Sequence, residues 1–270
     1  MRTSCDIDIL IQKEKLEEAV SYMTENMQYV VKERGTHDVG LVGPSGMMVE
    51  LHFDLVEEGR ANDAVNILSA VWDDVSLYEG SCYHYQMSDA FFYFYHVAHM
   101  AKHFENGGCG VRPLLDLWIL DKQNGYDEVT RDALLERGAL LKFTTAARSL
   151  SSVWFDGMEH TETTSQMEQY LLFGGVYGNI ENRVALQQQK KGGKFKYIVS
   201  RLFLPYNTIK FQYPILQKHR WLTPVMQVRR WLKLILRGGI KRSMNEINVN
   251  AKMSDDKKES ATELLERIGL

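Results

Sequence analysis

The chain has 270 residues, 44% apolar and 25% charged, enough to bury a core and too apolar for a disordered chain. Its three cysteines (Cys5, Cys82 and Cys109) are odd in number and far apart, which excludes a disulfide framework or a CxxC zinc site and favours a reducing cytoplasm. Net charge is −3, no run approaches the roughly 20 apolar residues of a membrane span, and no basic-then-apolar leader is read at the N-terminus.

The first element is a strand over 5–11, Cys-Asp-Ile-Asp-Ile-Leu-Ile. Alternate side chains along a strand share a face, so Asp6 and Asp8 project together while Ile7 and Ile9 point the other way. A helix follows over 13–27, with Leu16, Ala19, Val20 and Met23 on one face, and then a short strand at 29–31. Residues 39–42 and 47–53 flank Gly43-Pro44-Ser45-Gly46, a turn signal that predicts a β-hairpin. A helix is expected within 60–70 and a last strand over 72–78.

After Ser88 the period changes. Ser88 and Asp89 are N-cap residues for a helix over 90–104. Helical spacing continues at 111–122, 127–138, 139–155, 162–175, 178–190, 194–203 and 222–237. Residues 240–256 are polar, and 257–268 predict a terminal amphipathic helix. The expected class is α+β: a small mixed or antiparallel sheet with flanking helices (1–86), then an α-helical domain (87–240) and a polar tail (241–270).

In the second hairpin strand, Glu50, His52 and Asp54 share one face, and Val49, Leu51 and Phe53 share the other. Paired beside 5–11 in the right register, that strand would bring Glu50 to Asp6 and Asp8. Three carboxylates suit hard divalent cations such as Mg²⁺, which prefers carboxylate oxygens plus substrate phosphates. Such a site fits in-line nucleotidyl transfer, catalysed by positioning and charge neutralisation.

Arg2, Asp6-Ile7-Asp8-Ile9-Leu10 and Val49-Glu50-Leu51-His52 together resemble the nucleotidyltransferase-like family of the polymerase-β superfamily, known from bacteria. The likeness continues through Val97–Phe104 and Val111–Leu117, and more loosely from Tyr213 to Arg230. It implies that Asp6 and Asp8 are the metal-binding pair, that Glu50 is the third acid and that Mg²⁺ or Mn²⁺ is the cofactor. It also implies a nucleoside triphosphate as substrate and an acceptor hydroxyl on a sugar, another small molecule or a protein. Arg2 becomes a phosphate contact, and His52 would order the acceptor or a metal-bound water. The family places a strand, a Gly-containing turn and a helix before the acid strand. This chain starts a few residues before Asp6, so the expectation is a metal-binding half without that phosphate cradle, and a catalytically impaired binding protein is the alternative.

Three other features stand apart. His96, His99 and His103 lie on one helical stripe, and His99 with His103 could ligate zinc as a metal-dependent hydrolase does, although the aromatic surroundings favour a structural or substrate-facing pair. Arg112 and Asp116, one turn apart, are expected to pair on the helix surface, with a role for Arg112 at the nucleotide site as the alternative. Finally, residues 183–245 hold 15 Lys and Arg and no Asp or Glu. This block would attract an anionic partner or pack against the acidic remainder. Within it, residues 226–235 set Val228, Trp231, Leu232 and Ile235 against Arg229, Arg230 and Lys233. Burial of that apolar face is expected over a peripheral position on an anionic membrane.

Overall fold

A computed structural model describes residues 6–55, 63–123, 127–172, 194–236 and 255–270. The helices expected over 178–190, together with Arg2 and Cys5, lie outside the described residues. The chain divides into two compact units, each discontinuous in sequence. The first comprises Met1–Ala61 and Leu202–Arg237, and the second Asn62–Arg201 and Gly238–Leu270. This division differs from a break at 86, because 63–86 pack with the helices and 202–237 with the sheet.

In the first unit, β1 (Asp6–Leu10) is followed by a 3₁₀ turn and α1 (Leu16–Asn26). Three strands follow: β2 (Val30–Arg34), β3 (Asp38–Val42) and β4 (Met48–His52). They form one mixed sheet in the order β1-β4-β3-β2, with β1 parallel to β4 and the other pairs antiparallel. The hairpin closes as expected at Gly43–Gly46, where Gly43 N–H donates to Met47 O (2.9 Å) and Gly46 takes a φ of 81°. Side-chain alternation then divides the sheet by chemistry. Val39, Leu41, Val49 and Leu51 are buried under Leu16 and Val20 of α1, each worth about 1.5–3 kcal/mol when fully buried. At the sheet edge, Ile7 and Ile9 remain half-exposed.

Later in the same unit come α10 (Tyr206–Gln212) and α11 (Ile215–Lys218), labelled in chain order after the helices of the second unit. A 3₁₀ turn (Arg220–Leu222) leads into α12 (Thr223–Leu236). Ile209, Leu216 and Met226 form a small core here. The short helices α10 and α11 carry too few turns for the periodicity that reveals longer ones.

The second unit begins with α2 (Asp63–Ser69) and α3 (Val71–Asp74), followed by the two-residue strands β5 (Ser76–Leu77) and β6 (Tyr85–Gln86). Of the strand expected over 72–78, residues 72–74 are instead a helical turn closed by Val75 N–H donating to Val71 O (3.2 Å), and only Ser76–Leu77 is strand. Then come α4 (Asp89–Phe104), α5 (Arg112–Lys122), α6 (Glu128–Arg137), α7 (Leu141–Asp156), α8 (Glu162–Leu172), α9 (Lys194–Leu202) and the terminal α13 (Asp255–Ile268). Ser88 caps α4 as expected, accepting from Phe91 N–H, and its own hydroxyl donates to Asp74. Tyr93, Phe94, Phe104, Phe143 and Leu150 fill the core. Phe104 stacks on Tyr170, whose hydroxyl donates to Phe104 O (2.9 Å). The terminal helix is held by Arg267 paired with Glu162 (2.7 Å) and by buried Leu264, Leu265 and Ile268. Among the described residues, no helix is long and apolar enough to cross a membrane.

Tyr93 also anchors a polar network. Its hydroxyl donates to Asp121 Oδ1 (2.9 Å), and Arg148 grips the same carboxylate through Nε and Nη2 (2.6–3.0 Å). Both Arg131 and Arg148 lie over the Tyr93 ring, at 5.2 and 5.6 Å. Asp121→Ala leaves a buried phenol and a half-buried guanidinium without their shared acceptor. It is expected to cost about 2–3 kcal/mol in denaturant unfolding; a loss below about 0.5 kcal/mol would show that the network is not stabilising.

Candidate functional site

The polar face of the sheet is built by register. Asp8 on β1 lies directly opposite Glu50 on β4, Asp6 lies opposite Met48, and Leu10 lies opposite His52. Across β4, Gly40 faces Glu50 and Asp38 faces His52. With the apolar residues turned under α1, the acids of three adjacent strands share one surface.

Asp8, Glu50 and His52 each offer a ligand atom, and these atoms lie within 4.8 Å of one another. His52 Nε2 stands 3.4 Å from Asp8 Oδ1 and 3.5 Å from Glu50 Oε2. Asp8 is open to solvent (64% exposed at its side chain), whereas Glu50 and His52 are mostly covered. The expected set of Asp6, Asp8 and Glu50 is therefore joined on one face, but the atoms that converge are those of Asp8, Glu50 and His52. Asp6 flanks them and contributes charge.

Charge is the governing property here. Burial lifts the Glu50 carboxyl above its ordinary value, Asp38 and Asp8 push it the same way, His52 opposes them, and Asp6 adds a smaller upward push. A face that crowds several carboxylates raises its own energy unless a cation joins it. The donor set of two carboxylates and an imidazole, one side open, suits a divalent ion that keeps positions for substrate oxygens.

Two residues of this face escaped the sequence reading: Asp38 and its neighbour His37. The His37 ring lies 5.4 Å from that of His52, and Nδ1 is 3.9 Å from Asp38 Oδ1. The signal was available, because a hairpin closed at 43–46 that sets Gly40 against Glu50 also sets Asp38 against His52. Gly35 leaves room for this carboxylate: a Cβ at that position would meet Asp38 Oδ1 and make the side chain shift.

The remaining candidates belong to the second unit. His99 and His103 are exposed on α4 with their Nε2 atoms 3.1 Å apart. Neither joins a cluster of three metal-ligating groups among the described residues. His96 has a structural role, its Nε2 lying 2.9 Å from Pro113 O and tying α4 to α5. Arg112 is exposed in the first turn of α5.

Residues 1–154, more than half of the chain, match a family described as uncharacterised nucleotidyltransferase. No curated protein matches the chain, and neither does any solved structure.

The raised Glu50 carboxyl has a testable consequence. The folded chain holds this proton more tightly than the unfolded chain does, so Glu50 costs the metal-free protein stability as pH rises from the ordinary glutamate range through its raised value. At pH 7–8, Glu50→Gln is expected to raise the metal-free melting temperature by about 1–3 °C and to abolish any further rise on adding Mn²⁺. A Glu50→Gln protein that melts lower, or that still responds to Mn²⁺ as wild type does, would remove Glu50 from the site.

Proposed function

The chain belongs to the uncharacterised nucleotidyltransferase family, and from that premise we propose that it transfers a nucleoside monophosphate from a nucleoside triphosphate to an acceptor hydroxyl with the aid of Mg²⁺ or Mn²⁺. The observation that carries this reading is the pairing of Asp8 with Glu50 across parallel strands, with His52 Nε2 close to both carboxylates.

Asp8, Glu50 and His52 would hold the cation, and Asp6 adds negative charge beside them. When bound, the ion neutralises triphosphate charge and lowers the pKa of the acceptor hydroxyl. The rigid sheet fixes the two carboxylates without reorganisation, which is where positioning contributes most. In the transfer, the acceptor hydroxyl gives its proton to solvent and its oxygen bonds to the α-phosphorus, as the bond to pyrophosphate breaks and the electron pair leaves on pyrophosphate. The imidazole, mostly covered beside the two carboxylates, would turn its Nε2 to the cation. Asp38, opposite His52, keeps the local potential negative and favours a cation over the bare triphosphate.

The test is a thermal-shift titration of each nucleoside triphosphate with Mg²⁺, followed by an assay for released pyrophosphate. Nucleotide at about a hundredfold over its Kd stabilises a binding-competent protein by about 2.7 kcal/mol. Asp8→Asn is expected to remove the metal-dependent part of the shift and at least about a hundredfold of any turnover. If no nucleotide shifts the melting curve, or if Asp8→Asn shifts as wild type does, the proposal fails.

A further inference from the structure

The basic block contains a surface that the nucleotidyl-transfer reading leaves unused. One side of α12 is committed to its own unit. Met226 enters the small core beside Ile209 and Leu216. Gln227 Nε2 donates to Leu204 O (2.6 Å), and Trp231 Nε1 donates to Leu202 O (2.9 Å) with its ring edge-on to Phe203 at 5.2 Å. Arg230 also donates to Leu202 O (3.0 Å). These contacts fix the rotation of the helix about its axis.

With that rotation fixed, Trp221, Val225, Val228 and Leu232 are left on the outside, at 75%, 54%, 49% and 54% exposure. Val225, Val228 and Leu232, spaced by three and four, share one face of α12, and Trp221 stands in the 3₁₀ turn just before it. The expected burial of the 226–235 apolar face holds for Trp231, which turns inward, but not for Val228 and Leu232, which turn out and continue the stripe begun by Val225; the Ile235 side chain lies outside the described residues. Arg229 and Lys233 are exposed beside the stripe. No carboxylate occurs anywhere from 183 to 245.

We propose that this face of α12 docks on an anionic lipid surface, with Trp221, Val225, Val228 and Leu232 entering the headgroup–acyl boundary and Arg229 and Lys233 meeting lipid phosphates. An apolar stripe edged by cations, on a helix anchored from behind, is the arrangement that lies flat in a charged interface. A second copy of the chain fits less well, because pairing two such stripes would bring Arg229 and Lys233 of both copies together with no acid between them. Nucleic acid would require cations or flat rings at the centre of the face, where valine and leucine stand.

The experiment is flotation of the full chain with vesicles of phosphatidylcholine alone and of equal parts phosphatidylglycerol and phosphatidylcholine. Wild type is expected to float with the anionic vesicles only, and less so as salt is raised. Val228→Glu with Leu232→Glu should weaken that binding by about tenfold or more, and Arg229→Glu with Lys233→Glu should abolish the preference for anionic lipid. All four positions are exposed, so the first double variant should melt as wild type does; the second also loses Arg229 from over the Tyr213 ring (5.8 Å) and should melt within a few degrees of it. Asp8→Asn, which removes a proposed metal ligand, should float normally, which separates this proposal from the catalytic one. Wild type that ignores anionic vesicles, variants that melt normally yet bind like wild type, or a dimer dissolved by Val228→Glu with Leu232→Glu would each overturn it.

Discussion

The structure depends on one pairing, the parallel alignment of β1 with β4 that sets Asp8 against Glu50. Because side chains alternate along a strand, this register and the hairpin register decide together which residues face α1 and which face solvent. A slip of one residue would send Asp6 and Asp8 toward α1 and would bring Ile7 and Ile9 onto the acid face. Nothing in the acids themselves favours the native arrangement, since like charges on adjacent strands repel. The opposite face supplies the driving force, through Leu16 and Val20 of α1 packed on Val39, Leu41, Val49 and Leu51. The hydrophobic layer thus holds an acidic surface in a geometry that the surface would not choose.

That opposition explains the chemistry. Glu50 is lifted by burial and by Asp38 and Asp8, an energetic cost that a bound cation would offset. Sites built for ligands commonly sacrifice stability in this way, and removing the charge then stabilises the scaffold while ending its use. His52 moderates the cost by standing near both carboxylates. Gly35 belongs to the same compromise, because any side chain there would displace Asp38.

Much of this was legible in the residues. The alternation in Asp6-Ile7-Asp8-Ile9 and Val49-Glu50-Leu51-His52 predicts faces, and Gly43-Pro44-Ser45-Gly46 predicts the hairpin, because both signals are local. The parallel partnership of β1 and β4 is not local, and it entered the sequence reading only as a condition. Asp38 was missed although the hairpin register implies it, because the apolar run that marks the strand begins only at Val39. The start of the stretch 72–78 misled because Trp72, Val75, Leu77 and Tyr78 read together as strand, while the four-residue helix Val71–Asp74 is too short to show a period. The grouping of 202–237 with the sheet could not be read at all, since continuity of helical spacing says nothing about which core a helix joins. The outward turn of Val228 and Leu232 likewise depends on Trp231 finding Leu202 O, a contact 29 residues apart in sequence.

The proposed cation site of Asp8, Glu50 and His52 can be seen by locating manganese through its anomalous scattering in crystals grown with Mn²⁺ and a non-hydrolysable nucleoside triphosphate. A peak is expected within about 2–2.5 Å of oxygens from both Asp8 and Glu50, with His52 Nε2 beside it. Manganese bound instead at His99 and His103, or a site in which Asp8 and Glu50 take no part, would contradict it.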